Sequence, residues 1–286
     1  MTPLDWLLEP LRYEFMLRGL VTAMLVGVTC AVVGCYVVLR GMAFLGDAVS
    51  HAILPGVAVA YLLRGNLLIG GLAAGLIVAL TIAAISRRGR VREDTAIGVV
   101  FSGALALGVG LMSTIRTYST DLVHVLFGNV LGVTDSDIVL TAALAAIVLV
   151  VVAVLFKELL LVSFDPIMAS AVGMPVGLIN SVLLVLIAVT IVVSIQSVGI
   201  GLVAAMLVTP AATANLLVRR LTPMMAVAAA IGALSAIVGL YASYYLGIAS
   251  GPAIVLACTA CFAAAYAFAG RSVSRPAVRP AESPRA

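Results

Sequence analysis

The chain has 286 residues, 64% of them hydrophobic and 10% charged, with a formal net charge of +4. Soluble domains average about 45–50% apolar and about 25% charged residues, so this composition excludes an ordinary water-soluble fold. The basic residues fall in loop-sized clusters and not in one continuous patch, which excludes nucleic acid as the natural partner.

In chain order, residues 1–16 read as an interfacial leader carrying Trp6 and Tyr13, aromatic residues that favour the headgroup region. Asp5, Glu9 and Glu14 stand where a secretory signal would need basic residues. Apolar runs follow at 17–39, 44–63, 67–85, 96–115, 138–156, 177–193, 198–217, 223–246 and 252–269. Each approaches the roughly 20 residues needed to cross a hydrocarbon core of about 30 Å. Residues 17–269 therefore read as a single all-α, polytopic membrane domain. Pro and Gly interrupt the second and seventh runs, so eight crossings with one re-entrant segment is the alternative to nine. Thr209-Pro210 in the seventh is read as a kink that permits close packing. From 270 to 286 the chain is rich in Pro, Arg and Ser and is expected to form a disordered basic tail at an anionic inner leaflet.

Basic loops set the orientation. Arg87, Arg88, Arg90 and Arg92 mark one cytoplasmic loop and Arg219–Arg220 another. Alternation from these also puts Arg40, Lys157 and the tail inside, leaving only Arg12, Arg18, Arg64 and Arg116 outside. Cys30, Cys35, Cys258 and Cys261 lie in apolar runs and read as packing residues.

The run GDAVSHAILPG, residues 46–56, places Asp47 and His51 four residues apart inside the second span. A carboxylate at membrane depth costs about 2.5–3.5 kcal/mol on insertion scales, so such residues usually face a cavity or a pathway. On a helix the two lie one turn apart on one face. Carboxylate oxygen with imidazole nitrogen suits divalent transition metals. Pro55 has no N–H for the His51 carbonyl, so that oxygen is expected to be free as a further donor. The alternative is structural, with Asp47 as a helix cap and His51 as a buried, hydrogen-bonded histidine. Two ligands are too few for these metals, so others must come from elsewhere.

Two connections are longer than turns. In the inner one, Asp165-Pro166 signals a helix start and Gly173-Met174-Pro175 a stop. The short amphipathic helix between them either docks in a groove of a soluble partner or lies on the membrane. In the outer one, Asp121 and His124 stand at helical spacing and either meet an incoming cation or are solvated loop groups. The sequence carries no G-x-x-x-x-G-K-[ST] phosphate loop, zinc-protease motif or nucleophile elbow, so the chain is not expected to be an enzyme or to power transport by itself.

The stretches VVLRGMAFLGDAVSHAILPGVAVAYLL, REDTAIGVVFSGALALGVGL, LFGNVLG, FDPIMASAVGMP and GLVAAMLVTPAATANLL together resemble the membrane subunits of ABC importers for manganese, zinc and iron ions. The resemblance spans nearly all of the chain outside the leader and tail. It implies a vitamin- and siderophore-importer-like permease fold in the bacterial plasma membrane. It also implies a permease homodimer, two cytoplasmic ATP-binding subunits and an extracytoplasmic metal-binding protein. Asp47 and His51 then match the positions that hold the ion in transit. The segment at about 164–176, with Asp165, Pro166, Ala169 and Gly173, matches the coupling helix that contacts the ATPase. No permanently bound cofactor is implied, only the transported ion. The rivals are a siderophore- or vitamin-type permease and a proton-coupled secondary transporter using Asp47 and His51 as a relay.

Overall fold

The computed structural model describes residues 8–87, 91–114 and 130–272, with side chains through Phe268. These residues are helical and contain no strand. A 3-10 turn at Pro10–Arg12 leads into α1 (Glu14–Leu39), and α2 (Leu45–Ala52) and α3 (Leu54–Leu62) follow. Next come α4 (Leu67–Arg87) and α5 (Glu93–Ser113), a second 3-10 turn at Val130–Gly132, α6 (Asp135–Val154), α7 (Phe156–Phe164) and α8 (Pro166–Ala171). Four long helices close the chain: α9 (Val176–Val198), α10 (Ile200–Leu217), α11 (Leu221–Leu246) and α12 (Ser250–Ser272). With Leu45–Leu62 taken as one span, nine segments among the described residues are long and apolar enough to cross a membrane. They coincide with the nine expected runs. Trp6 and the tail beyond 272 lie outside the described residues.

Two local expectations are corrected. First, α1 begins at Glu14, inside the expected leader, because the Arg18 guanidinium lies 2.6 Å from Glu14 and 2.8 Å from Asp135. Hydropathy ends where lipid ends, but backbone hydrogen bonding carries a helix on into the headgroup layer. Second, residues expected in the inner connection form α7, which buries Leu159 and Val162. Helix α10 carries Pro210 inside it, at the place where the sequence reads a kink.

Lipid is as apolar as leucine, so hiding apolar side chains does not drive helices together in a membrane, and close packing must. Small residues supply it. A Cβ on Gly34 of α1 would fall on the Leu207 carbonyl of α10. Gly27 of α1 opposes Gly232 of α11, each Cβ position being 3.0 or 2.7 Å from the other's carbonyl oxygen. Gly56 of α3 and Gly70 of α4 face each other in the same way. Helix α1 thus stands at the centre, packed on α10 and α11 on one side and on α6 and α9 on the other. Helices α3, α4 and α5 form a second group joined to it through α9 and α2.

Polar side chains gather at the two ends. At one end Arg18 bridges Glu14 and Asp135, and the Gln196 amide donates to Asp137 at 3.3 Å. At the other, Arg40, Glu93 and Asn180 meet, and the Arg87 guanidinium lies over Gly177. Residues assigned to one side of the membrane by their loops therefore come together in space.

Replacing Gly34 with alanine should force α1 and α10 apart at the cost typical of overpacking, about 1–3 kcal/mol. A lower melting temperature in detergent, followed by size-exclusion chromatography after heating, is the expected result. Gly201→Ala, whose Cβ would meet nothing within 4 Å, should melt like the parent. Equal melting of both variants would mean that the α1–α10 backbone contact does not hold the bundle together.

Candidate metal site and cytoplasmic arm

Helix α2 is only eight residues long and has two unlike faces. Leu45, Gly46, Ala48, Val49, Ser50 and Ala52 are buried. Helix α2 packs on α9 and α10, where a Cβ on Gly46 would come within 2.8 Å of the Leu207 side chain. The Ser50 hydroxyl donates to the Gly46 carbonyl at 2.7 Å, so the back of the helix holds no unmet polar group of its own. Asp47 and His51 occupy the remaining face.

Asp47 sits in the first turn and His51 in the last. The acid therefore lies at the positive end of the helix dipole and the imidazole at the negative end. Asp47 makes no capping bond, since the residue preceding the helix is Phe44 and no side-chain cap is present. The His51 Nε2 lies 3.6 Å from Asp47 Oδ1, and the side chains are 32% and 48% exposed respectively. That separation is too long for a good hydrogen bond. Two donors held about 2.1 Å from a common ion at octahedral or tetrahedral angles are about 3.0–3.4 Å apart, so a small closure would let both atoms share a cation. His51 is therefore not a sequestered core histidine.

The helix breaks at Ile53 and resumes as α3 with Pro55 in its first turn. Pro55 offers the His51 carbonyl no N–H, and the Ile53 amide two residues on reaches it only as a bent i→i−2 contact, so this oxygen lacks its regular helical partner. The break is fixed from outside. Gly56 lies against Gly70 of α4, and a Cβ on Gly108 of α5 would come within 3.0 Å of the Pro55 nitrogen. Two aromatic residues that carry no sequence motif flank the pair. The Phe101 ring on α5 is 6.3 Å from the His51 ring and 5.6 Å, edge-on, from Phe44. Only the position of Phe44, three residues before Asp47, hints at its place; Phe101 is brought in by tertiary packing alone. Among the described residues no group of three His, Cys, Asp or Glu side chains converges anywhere. The outer-loop Asp121 and His124 lie outside the described residues.

The inner connection forms a bent arm. Asp165 caps α8 by accepting from the Met168 amide at 2.8 Å, and Pro166 fills the first turn, where no N–H is needed. Gly173, at φ +84°, ends it in a conformation that a side chain would strain. Ala169 is fully buried against the rest of the arm, whereas Ile167 is 81% exposed, with Met168 and Val172 also exposed. These three apolar side chains form the outward surface of α8, which the sequence motif did not single out. Behind it, Arg40 donates to Asn180 and lies 3.9 Å from Glu93, while burial pulls its guanidinium below the ordinary range and Glu93 pushes it back up.

Residues 12–269 match the profile of the family described as the ABC 3 transport family. The manganese transport system membrane protein MntC of Halalkalibacterium halodurans is 46% identical over 258 residues, 90% of this chain and 88% of that one. A Haemophilus influenzae protein named "Probable iron transport system membrane protein" is 40% identical over 264 residues, 92% and 97% of the two chains. The structure of PsaBC from Streptococcus pneumoniae in complex with Fab shares 39% identity and superposes with a TM-score of 0.80, covering 93% of this chain and 95% of that one.

Because Asp47 and His51 project from a helix whose packing face is elsewhere, Asp47→Ala and His51→Ala should leave the detergent elution profile unchanged. Each should weaken Mn²⁺ binding to the purified protein by at least tenfold in equilibrium dialysis. Undiminished binding in the double variant would remove these two residues from the metal site.

Proposed function

The chain belongs to the ABC 3 transport family, and on that premise we propose that it imports divalent transition-metal ions as the membrane-spanning permease of an ABC transporter. It is a multi-pass protein of the bacterial plasma membrane, and manganese is its leading cargo. The observation that carries this reading is the Asp47–His51 pair, one turn apart and half exposed beside α5. A bulky metal chelate has no use for two small donors 3.6 Å apart, which disfavours the siderophore-type alternative.

Two donors cannot complete a shell for any of these ions. Helix α5, which flanks the pair, is the least buried of the nine spans. In our reading a second copy of the chain covers this face and brings its own Asp and His. An extracytoplasmic protein delivers the ion, and separate cytoplasmic subunits hydrolyse ATP. Their closure pushes on α8 through Ile167, Met168 and Val172, with Asp165, Pro166 and Gly173 fixing the shape of the arm and Ala169 seating it. The site serves transit, so its affinity is set low enough for release.

Two experiments test this. A strain lacking its own manganese, zinc and iron importers, given the complete transporter, should regain growth and cell-associated metal with manganese; recovery with none of the three ions would refute the metal-import reading. In the complete transporter, Ile167→Asp or Gly173→Val should cut uptake at least tenfold while the permease still reaches the membrane. If both variants bound and stimulated the ATPase normally, α8 would have no coupling role.

A further inference from the structure

Asn180 lies in the second turn of α9, a few residues after Gly173 and Pro175 end the cytoplasmic arm. It is a buried amide in a strongly apolar helix and uses both ends of its side chain. Its Oδ1 accepts from an Arg40 Nη1–H, and its Nδ2 donates to Glu93 Oε1 at 2.6 Å. Arg40 Nη2 stands 3.9 Å from the same Glu93 oxygen. An arginine has only donors and an ionised glutamate only acceptors, so one orientation of the amide satisfies both partners. The three residues come from three helix ends: Arg40 caps the C-terminus of α1, Glu93 opens α5, and Asn180 follows the arm. Each charge also complements the dipole of its own helix end.

Where these ends lead gives the clasp its meaning. Arg40 is joined through the short 41–44 link to α2, which carries Asp47 and His51. Glu93 starts α5, and Phe101, eight residues on and about 12 Å along that helix, touches the His51 ring. Arg87, at the end of α4, rests on Gly177 three residues before Asn180. A displacement of α8 reaches the first turns of α9 directly, and among the described residues the polar side chain there that bonds both Arg40, at the end of the helix leading into α2, and Glu93, at the start of the α5 helix beside the pair, is Asn180.

We propose that Asn180 is a positioning residue that couples movement of the cytoplasmic arm to the Asp47–His51 pair, by clasping Arg40 at the end of α1 to Glu93 at the start of α5. The proposal rests on the import reading above. While the clasp is closed, α1, α5 and α9 move as one body at the cytoplasmic end. Without it, the arm moves and the metal pair does not follow.

The test uses the complete transporter in proteoliposomes, measuring Mn²⁺ uptake and ATP hydrolysis together. Asn180→Ala should lower the ions imported per ATP at least tenfold, with hydrolysis within twofold of the parent. Asn180→Asp sets a carboxylate against Glu93 and should uncouple as strongly. Adding Glu93→Gln to Asn180→Asp restores a donor facing an acceptor on that side and leaves Arg40 an acceptor on the other. This double variant should recover at least half of the coupling, a rescue that a general loss of stability would not produce. Proportional loss of uptake and hydrolysis in Asn180→Ala, or no rescue by Glu93→Gln, overturns the proposal. Failure of the parent transporter to import Mn²⁺ would instead strike the import reading itself, so the two failures are distinguishable.

Discussion

Helices dissolved in lipid cohere only where their backbones can come close, and this chain depends on that constraint throughout. Gly34 lets α1 lie on the Leu207 carbonyl of α10, Gly27 and Gly232 bring α1 against α11, and Gly56 and Gly70 join α3 to α4. Leu207 is the focus of the arrangement. Its backbone receives α1, and its side chain fills the space left by Gly46 on α2. The short helix that carries Asp47 and His51 is thus positioned by the same contact that joins α1 to α10.

The polar residues follow a complementary rule. The charged groups of the Arg18 and Asn180 networks, at the helix ends, are satisfied by partners from other helices. Asp47 and His51, in the first two turns of the Leu45–Leu62 span, make a long contact with each other and remain partly exposed. Donors left available in this way are what a transit site needs, since a fully engaged pair would have to break its own bonds before accepting an ion. The aromatic pair Phe44 and Phe101 limits one side of that site, and the broken helix at Ile53 keeps it at the junction of α2 and α3.

Much of this was legible in order along the chain. Nine apolar runs matched nine spans, and of the two runs that Pro and Gly interrupt, the second is broken at Ile53 while the seventh is one helix. The i, i+4 spacing of Asp47 and His51 predicted a shared face, and Asp165-Pro166 with Gly173 predicted a short capped helix. Misplaced features have a common cause: hydropathy reports the solvent around a residue, not whether its amide is hydrogen-bonded. Hence the extra turn at Glu14 and the helix at Phe156–Phe164 were missed. The missing Pro55 N–H marked the His51 carbonyl as short of its regular partner, and the helix breaks directly after it, at Ile53.

The sequence by itself determined the solvent, the places of the apolar runs and the chemistry of the Asp47–His51 pair, because each rests on composition or on a periodicity within a single helix. Tertiary structure alone decided that Phe101 stands beside His51, that Ala169 is buried while Ile167 faces outward, and that Arg40, Glu93 and Asn180 meet. Those contacts join residues up to 140 positions apart. They depend on which helices pack and at what depth, and that is fixed by matching glycine surfaces on different helices, which no local pattern records.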